Sequence, residues 1–430
     1  MKPILAATVV LCCTALSAAE PPAKPLAAVT PTANAGKRGT YQVDLADNAQ
    51  YKYWVLVPDS YQEDGRAAGI HLFFHGQGGH TGAPNFNQWK ARFCEPHRLI
   101  GINMQYLDGD NLKDTAGKVA AARQAVLQVL ADYQAVPRGA VASFSGGGGP
   151  HGLWWGQATA QPTPAWPFTH CSLYGSNFLA ATADGRGYSW FVGVGGKEWG
   201  MAKPTLGESQ CARAVELLAG ALKRKGGPDV RLRIDKDKGH SIAEQDVAEA
   251  AEQFRRSDLA LAPFLFEPAW KGKARAIAAT ANRLALGQAA GELDKALAAK
   301  DLAEDAKAEL ERLRGALDER VEAVLALMKE LTESDTVLAG HYGALFTAQL
   351  KGHARAKELA ALLTAMAKAP AARDQGRAFE GFAKLLPACV GPEARLQKPE
   401  VNAAQLEQAA KLAGERSLTA RNAQDLLSLR

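Results

Sequence analysis

The chain has 430 residues, room for two or three domains at roughly 100–200 residues each. Apolar residues make up 47% and charged residues 22%, which excludes an intrinsically disordered chain. Fifty Lys and Arg against 45 Asp and Glu leave +5, too small and too evenly spread for a nucleic-acid-binding face. No apolar run reaches the ~20 residues that span a bilayer.

Met1-Lys2 is a short basic start, Ile4 to Leu16 an apolar stretch, and Ser17-Ala18-Ala19 the small residues a signal peptidase prefers. Residues 1–19 therefore read as a secretory signal peptide cut after Ala19, which predicts a secreted or periplasmic protein. No Cys stands at the expected cut, so a lipid anchor is not indicated. Residues 20–39 are rich in Pro, Ala and Thr and are expected to be a disordered leader. Beyond them lie Cys94, Cys171, Cys211 and Cys389; this even number permits disulfides or buried free thiols, and none has metal-ligand spacing.

Strand-like runs follow at Thr40–Leu45, Tyr51–Pro58, Ile70–His75, Leu99–Met104, Gly139–Ser143, Thr169–Tyr174, Tyr188–Val194 and Val230–Asp235. Helical patterns fall at Phe86–Glu95, Thr115–Gln134, Thr205–Lys225 and Ser241–Arg256. An opening hairpin and then alternating strand and helix predict an α/β fold with a mostly parallel eight-stranded sheet wrapped on both faces. Composition then changes. All eight Trp lie at or before Trp270, and the remainder repeats Ala, Leu, Glu, Lys and Arg, all good helix formers. The expected boundary puts an α/β domain at 40–262 and an all-α helical domain at 263–430. Within the latter, Leu310, Leu313, Leu317, Val321, Val324, Met328 and Leu331 form one apolar stripe on a long helix over Leu302–Glu333. Shorter amphipathic helices are expected near Thr336–Leu350, Ala354–Lys368, Arg373–Leu386 and Ala403–Leu412. This half carries no recognisable chemistry; a bundle packed beside the first domain is the plain expectation, and a module for protein contacts or dimerisation the functional one.

In parallel sheets, sites form beyond the C-terminal strand ends. Here the third strand is followed by His75-Gly76-Gln77-Gly78-Gly79, a turn whose backbone N–H groups can face a ligand. The fifth is followed by Phe144-Ser145-Gly146-Gly147. A Ser on a tight strand-to-helix turn needs small residues two positions either side; Ser145 has Ser143 and Gly147, which makes it a better nucleophile than Ser143. Pro150 makes the turn after Ser145 irregular, because its ring nitrogen cannot donate. The last strand is followed by Gly239-His240-Ser241.

These motifs, and the order Ser, acid, His, resemble the α/β-hydrolase superfamily over about Thr40–Arg256. Within it the chain looks most like the secreted esterase, polyester-depolymerase and feruloyl-esterase-like branch, with dienelactone-hydrolase-like relatives. The resemblance implies Ser145 as nucleophile, His240 as base, and the backbone N–H groups of Gln77 and Gly146 as the oxyanion hole. Family members carry the acid in the loop after the seventh strand, here Gly195-Gly196-Lys197-Glu198-Trp199-Gly200. Glu198 is its only carboxylate and is the expected acid, with Asp184 the substitute. Ser143 replaces the usual first Gly of the motif.

Trp154, Trp155, Trp166 and Trp199 follow site loops; Trp154, Trp155 and Trp199 are expected as an aromatic platform for sugar or phenolic esters, against a core reading. His75 and His151 are expected to be structural, and for His80 contact with substrate is the lesser alternative, not the expectation. No His pair has zinc spacing and no acidic cluster suggests calcium, so neither metal nor cofactor is expected. The expected activity is cleavage of small or polymeric carboxylic esters through an acyl-enzyme, on polysaccharide side chains or polyesters, with no nucleic-acid or membrane partner. A serine peptidase of the prolyl-oligopeptidase type and an inactive hydrolase-like binding protein are the alternatives.

Overall fold

A computed structural model describes residues 30–45, 51–76, 89–106, 114–160, 168–176, 189–195, 229–391, 395–396 and 402–428. Eight strands form one sheet: β1 (Gly39–Asp44), β2 (Tyr51–Val57), β3 (Ala68–Phe74), β4 (Leu99–Tyr106), β5 (Ala135–Phe144), β6 (Phe168–Tyr174), β7 (Ser189–Gly195) and β8 (Val230–Asp235). Their spatial order is β1-β2-β4-β3-β5-β6-β7-β8. β1 pairs antiparallel with β2, and β2 antiparallel with β4; every other pairing is parallel. This is the α/β-hydrolase fold, followed by a helical C-terminal region.

The central strands are apolar runs because both faces are covered. Along β3, Ile70, Leu72 and Phe74 enter one apolar cluster and Phe73 the other. β5 alternates in the same way, with Val141 on one side and Ala140 and Ala142 on the other. The first face is covered by α1 (Thr115–Asp132) and α2 (Gly148–Ala160), through Val119, Val126, Trp154 and Trp155. The second is covered by a π-helical turn at Lys90–Cys94 and by α3 (Glu244–Leu261), through Phe93, Val247 and Phe254. The Thr205–Lys225 helix and part of the Phe86–Glu95 helix expected from sequence lie outside the described residues.

The helical region comprises α4 (Gly272–Asn282), α5 (Leu286–Leu297), α6 (Glu304–Ser334), α7 (Thr336–Gln349), α8 (Ala356–Lys368), α9 (Pro370–Leu385), α10 (Ala403–Ala413) and α11 (Leu418–Leu427). The stripe predicted for the long helix is its buried seam. α4, α5 and α11 have no counterpart in the sequence pattern, for their buried positions include many Ala, which hardly mark a face.

The region is joined to the sheet by more than a linker. Arg320 of α6 donates to the carbonyls of Asp258 (2.7 Å), Leu259 (3.0 Å) and Ala262 (3.1 Å), capping the C-terminal end of α3. The Tyr342 hydroxyl donates to Asp229 at 2.6 Å, beside the buried Arg256–Asp229 ion pair. Phe382, Leu386, Leu406 and Leu426 join the same apolar cluster as Trp190 and Val192. Asn422 closes the open edge of β8: its side-chain oxygen accepts from Leu232 N–H (3.0 Å) and its amide donates to Val230 C=O (2.7 Å). The Asn422 amide, with the Asp425 carboxylate accepting from Ile234 N–H, thus stands where a ninth strand would pair.

Candidate active site

Ser145 begins a 3-10 turn, Ser145–Gly147, between the end of β5 and the start of α2. Its φ is +51°, a left-handed conformation that costs about 1–3 kcal/mol for a residue with a Cβ. The surroundings impose it. A Cβ on Gly147 would lie 2.2 Å from the carbonyl oxygen of Phe74 and 2.7 Å from that of His75, so this turn sits directly on the end of β3. A Cβ on Gly76 would lie 2.9 Å from the Cβ of Ser145. Glycine at both positions lets the loop after β3 and the turn after β5 touch backbone to backbone. Ser145 itself stays half-buried and so open to a small molecule. The irregular first turn expected from Pro150 is this 3-10 segment, although the regular helix starts at Gly148, two residues sooner than Pro150.

His240 is delivered to the same strand ends from β8. Its ring lies over that of Phe144, the residue before Ser145, with centroids 4.7 Å apart and planes inclined by 30°. The turn that carries it is held in three ways. Lys238 bonds to the fully buried Asp246, Arg233 pairs with the same carboxylate at 2.9 Å, and Asp246 accepts from Ala243 N–H at 3.2 Å. A Cβ on Gly195, at the end of β7, would meet the carbonyl oxygens of Gly239 (2.4 Å) and Lys238 (2.6 Å). The His240 turn therefore packs directly on the end of β7. The Asp235 carboxylate is taken up locally, accepting from Asp237 N–H at 3.1 Å.

Of the residues expected at the site, Ser145, Gly146 and His240 are brought to one set of strand ends. Gln77, Glu198, Asp184, Trp166, Trp199, His80 and Cys211 lie outside the described residues. Two expectations are corrected. Trp154 and Trp155 are each only 2% exposed. Trp154 packs on Phe74 and Phe168, and Trp155 on Trp190. Both face the sheet from α2, so neither offers a platform to substrate; an indole at these positions gains more by filling the helix–sheet interface. Cys94, Cys171 and Cys389 are buried free thiols.

His75 is buried, with Nδ1 2.6 Å from the carbonyl of Gly76 and its ring 4.4 Å from that of Tyr106. It braces the loop after β3. His151 is buried within α2, where desolvation drives its pKa down to about 3, and Nδ1 lies 2.9 Å from Ser143 Oγ. The local sequence carried no sign of this pair beyond the substitution of Ser for Gly at position 143. Among the described residues, no group of three or more His, Cys, Asp or Glu is placed to hold a metal ion, and no helix is long and apolar enough to cross a membrane.

No family model and no curated protein matches the chain. Solved structures to which it is similar include an IroE-like serine hydrolase from Shewanella oneidensis, 10% identical over 64% of this chain and 98% of that one, with a TM-score of 0.36. Another is Thermogutta terrifontis esterase 2, 15% identical over 50% of this chain and 93% of that one, with a TM-score of 0.31. An uncharacterised protein from Capnocytophaga ochracea is 10% identical over 77% of this chain and 94% of that one, with a TM-score of 0.36. Likeness at this level leaves the chemistry to the residues themselves.

Proposed function

We propose that the protein is a secreted serine esterase that cleaves carboxylic esters through an acyl-enzyme. The observation that carries this reading is Ser145 held at φ +51° on the turn after β5, with His240 stacked on the adjacent Phe144 ring. A serine hydroxyl is a weak nucleophile until a base takes its proton. As Ser145 Oγ attacks the ester carbonyl, its proton passes to His240, and the carbonyl oxygen becomes the oxyanion. The Gly146 N–H and, from the loop after β3, the Gln77 N–H are the proposed donors to that oxygen, each worth roughly 3–4 kcal/mol of barrier. The intermediate collapses, the alcohol leaves with the proton from His240, and water repeats the sequence to release the acid and restore Ser145. Glu198 is the proposed orienting acid for His240, with Asp184 its substitute. Trp199, beside Glu198, is the remaining aromatic proposed to face substrate. The favoured substrates are polysaccharide side-chain esters or polyesters. The basic, apolar and small-residue pattern of residues 1–19 supports export before the enzyme acts.

The test is intact mass of the protein starting at Glu20 after treatment with a fluorophosphonate, beside Ser145→Ala, with short p-nitrophenyl esters assayed in parallel. One adduct that is lost in the variant, together with ester turnover, is expected. Well-folded protein with no adduct and no turnover would overturn the reading in favour of a binding role.

A further inference from the structure

Behind Ser145 runs a chain of buried polar side chains that the reaction itself does not use. His151 on α2 lies with Nε2 3.3 Å from Cys171 Sγ on β6, and with Nδ1 2.9 Å from Ser143 Oγ on β5. Ser143 Oγ lies 3.0 Å from Ser176 Oγ, which donates to the carbonyl oxygen of Ser145 at 3.2 Å. All four side chains are nearly or fully buried. The loop bearing Ser176 is fixed to the sheet by Gly175 N–H, which donates to Gly193 C=O at 2.9 Å.

The proton positions follow from counting. A carbonyl only accepts, so the Ser176 proton points at Ser145. Ser176 must then accept from the Ser143 hydroxyl. With the Ser143 proton spent, its oxygen accepts from His151, which must carry its proton on Nδ1. A neutral imidazole has one N–H, so Nε2 is the acceptor, and the Cys171 thiol is its donor. Burial acts in the same sense, holding His151 neutral and raising the Cys171 thiol well above its ordinary pKa.

The end of the chain matters because the Ser145 carbonyl and the Gly146 N–H belong to one planar peptide unit and point to opposite sides of it. Whatever fixes the carbonyl aims the N–H. We propose that Cys171, His151, Ser143 and Ser176 form a one-directional hydrogen-bond chain, Cys171 to His151 to Ser143 to Ser176 to Ser145 C=O, that aims the Gly146 N–H at the oxyanion. These are positioning residues. The catalytic part of the inference rests on the proposed esterase reaction, while the proton order does not. The chain also accounts for Ser at position 143, where a glycine would leave His151 and Ser176 unconnected.

The test combines two readouts. In protein labelled with 15N-histidine and 15N-glycine, at pH 7, His151 should show the Nδ1–H tautomer in the wild type and in Cys171→Ser, whose hydroxyl still donates. It should lose that single tautomer in Cys171→Ala. In Ser176→Ala the Gly146 amide resonance should move. Ester turnover by Ser176→Ala should show kcat lower by about tenfold with KM within twofold, because a misaimed oxyanion donor weakens only the transition state. Affinity for a boronic acid that mimics the tetrahedral species should fall by the same factor, and Cys171→Ser should stay within twofold of wild type on every measure. An Nε2–H tautomer in the wild type, or a Gly146 resonance unmoved in Ser176→Ala, would overturn the proposal. If Ser176→Ala does not fold, Ser143→Gly, which removes the hydroxyl that donates to Ser176, is read in its place. Should the wild type show the expected tautomer and Ser176→Ala the Gly146 shift, while the wild type turns over no ester, the esterase reading fails and the proton order stands.

Discussion

Mild acid should destabilise this protein steeply, between about pH 6.5 and 4, before most carboxylates protonate. His71, His151 and His170 are fully buried, and desolvation lowers each to about 3. In the unfolded chain a histidine titrates near 6.5. Between these values the unfolded state binds protons that the folded state refuses, so stability falls as pH falls. At pH 5 the gap to the unfolded value is about 1.5 pH units, or roughly 2 kcal/mol per histidine at 1.36 kcal/mol per unit. Three such groups amount to about 6 kcal/mol, comparable with the whole stability of many domains. His97, lowered to about 4 chiefly by burial, adds about 2 kcal/mol more at pH 5. Asp335 and Asp425, raised chiefly by burial, act in the opposite direction, but only as pH falls into the carboxylate range. The assay is urea unfolding followed by tryptophan fluorescence at pH 7, 6 and 5. His71→Phe assigns the cause, since the ring already lies 4.9 Å from Trp89 and 4.8 Å from Phe93 and a phenyl group suits that site. This variant should lose about one quarter of the pH dependence supplied by the four histidines, roughly 2 kcal/mol between pH 7 and 5. Stability that is flat over that range would refute the reasoning.

Gly147→Ala sets a Cβ against two backbone carbonyls of the β3 end. It should cost about 1–3 kcal/mol in urea unfolding and lower kcat far more than KM, as the turn lifts from the sheet. Trp154→Ala should cost about 3–5 kcal/mol of stability while leaving KM for aryl and sugar esters unchanged in whatever protein stays folded. Deleting all residues after Trp270 should yield insoluble protein, because the deletion uncovers the β8 edge and the α3 end; soluble, fully active protein would show the helical region to be dispensable. Asn422→Ala, a milder cut at that edge, should cost about 1–3 kcal/mol by leaving Leu232 N–H and Val230 C=O without this side chain.

Much of the sheet was legible in the sequence, because a strand buried on both faces has little choice but a continuous apolar run. Val230–Asp235 is read to the residue, and Ile70–His75 within two residues of β3. β5 runs from Ala135, well before its expected start at Gly139, since Pro137 and the bulge beside Gly139 disguise its first turns. Ser145 and His240 could be named from Gly spacing and position after strands, since sterics at a tight turn leave a mark on adjacent residues. Trp154 and Trp155 could not be oriented in this way, because an indole that suits a ligand suits a helix–sheet interface equally well.

What the sequence determined by itself is therefore the local part: an α/β sheet, a tight serine turn after its fifth strand, a histidine after its eighth, and a helical second half with one long apolar seam. Tertiary structure alone decided the rest. Asn422 completes a strand edge about 190 residues away, Arg320 caps a helix some 60 residues before it, and Cys171, His151, Ser143 and Ser176 line up behind Ser145 from separate elements. Each is a polar group whose partner is fixed by burial in three dimensions. No periodicity along the chain records such a pairing, because a buried donor needs only an acceptor nearby in space, wherever in the sequence that acceptor stands.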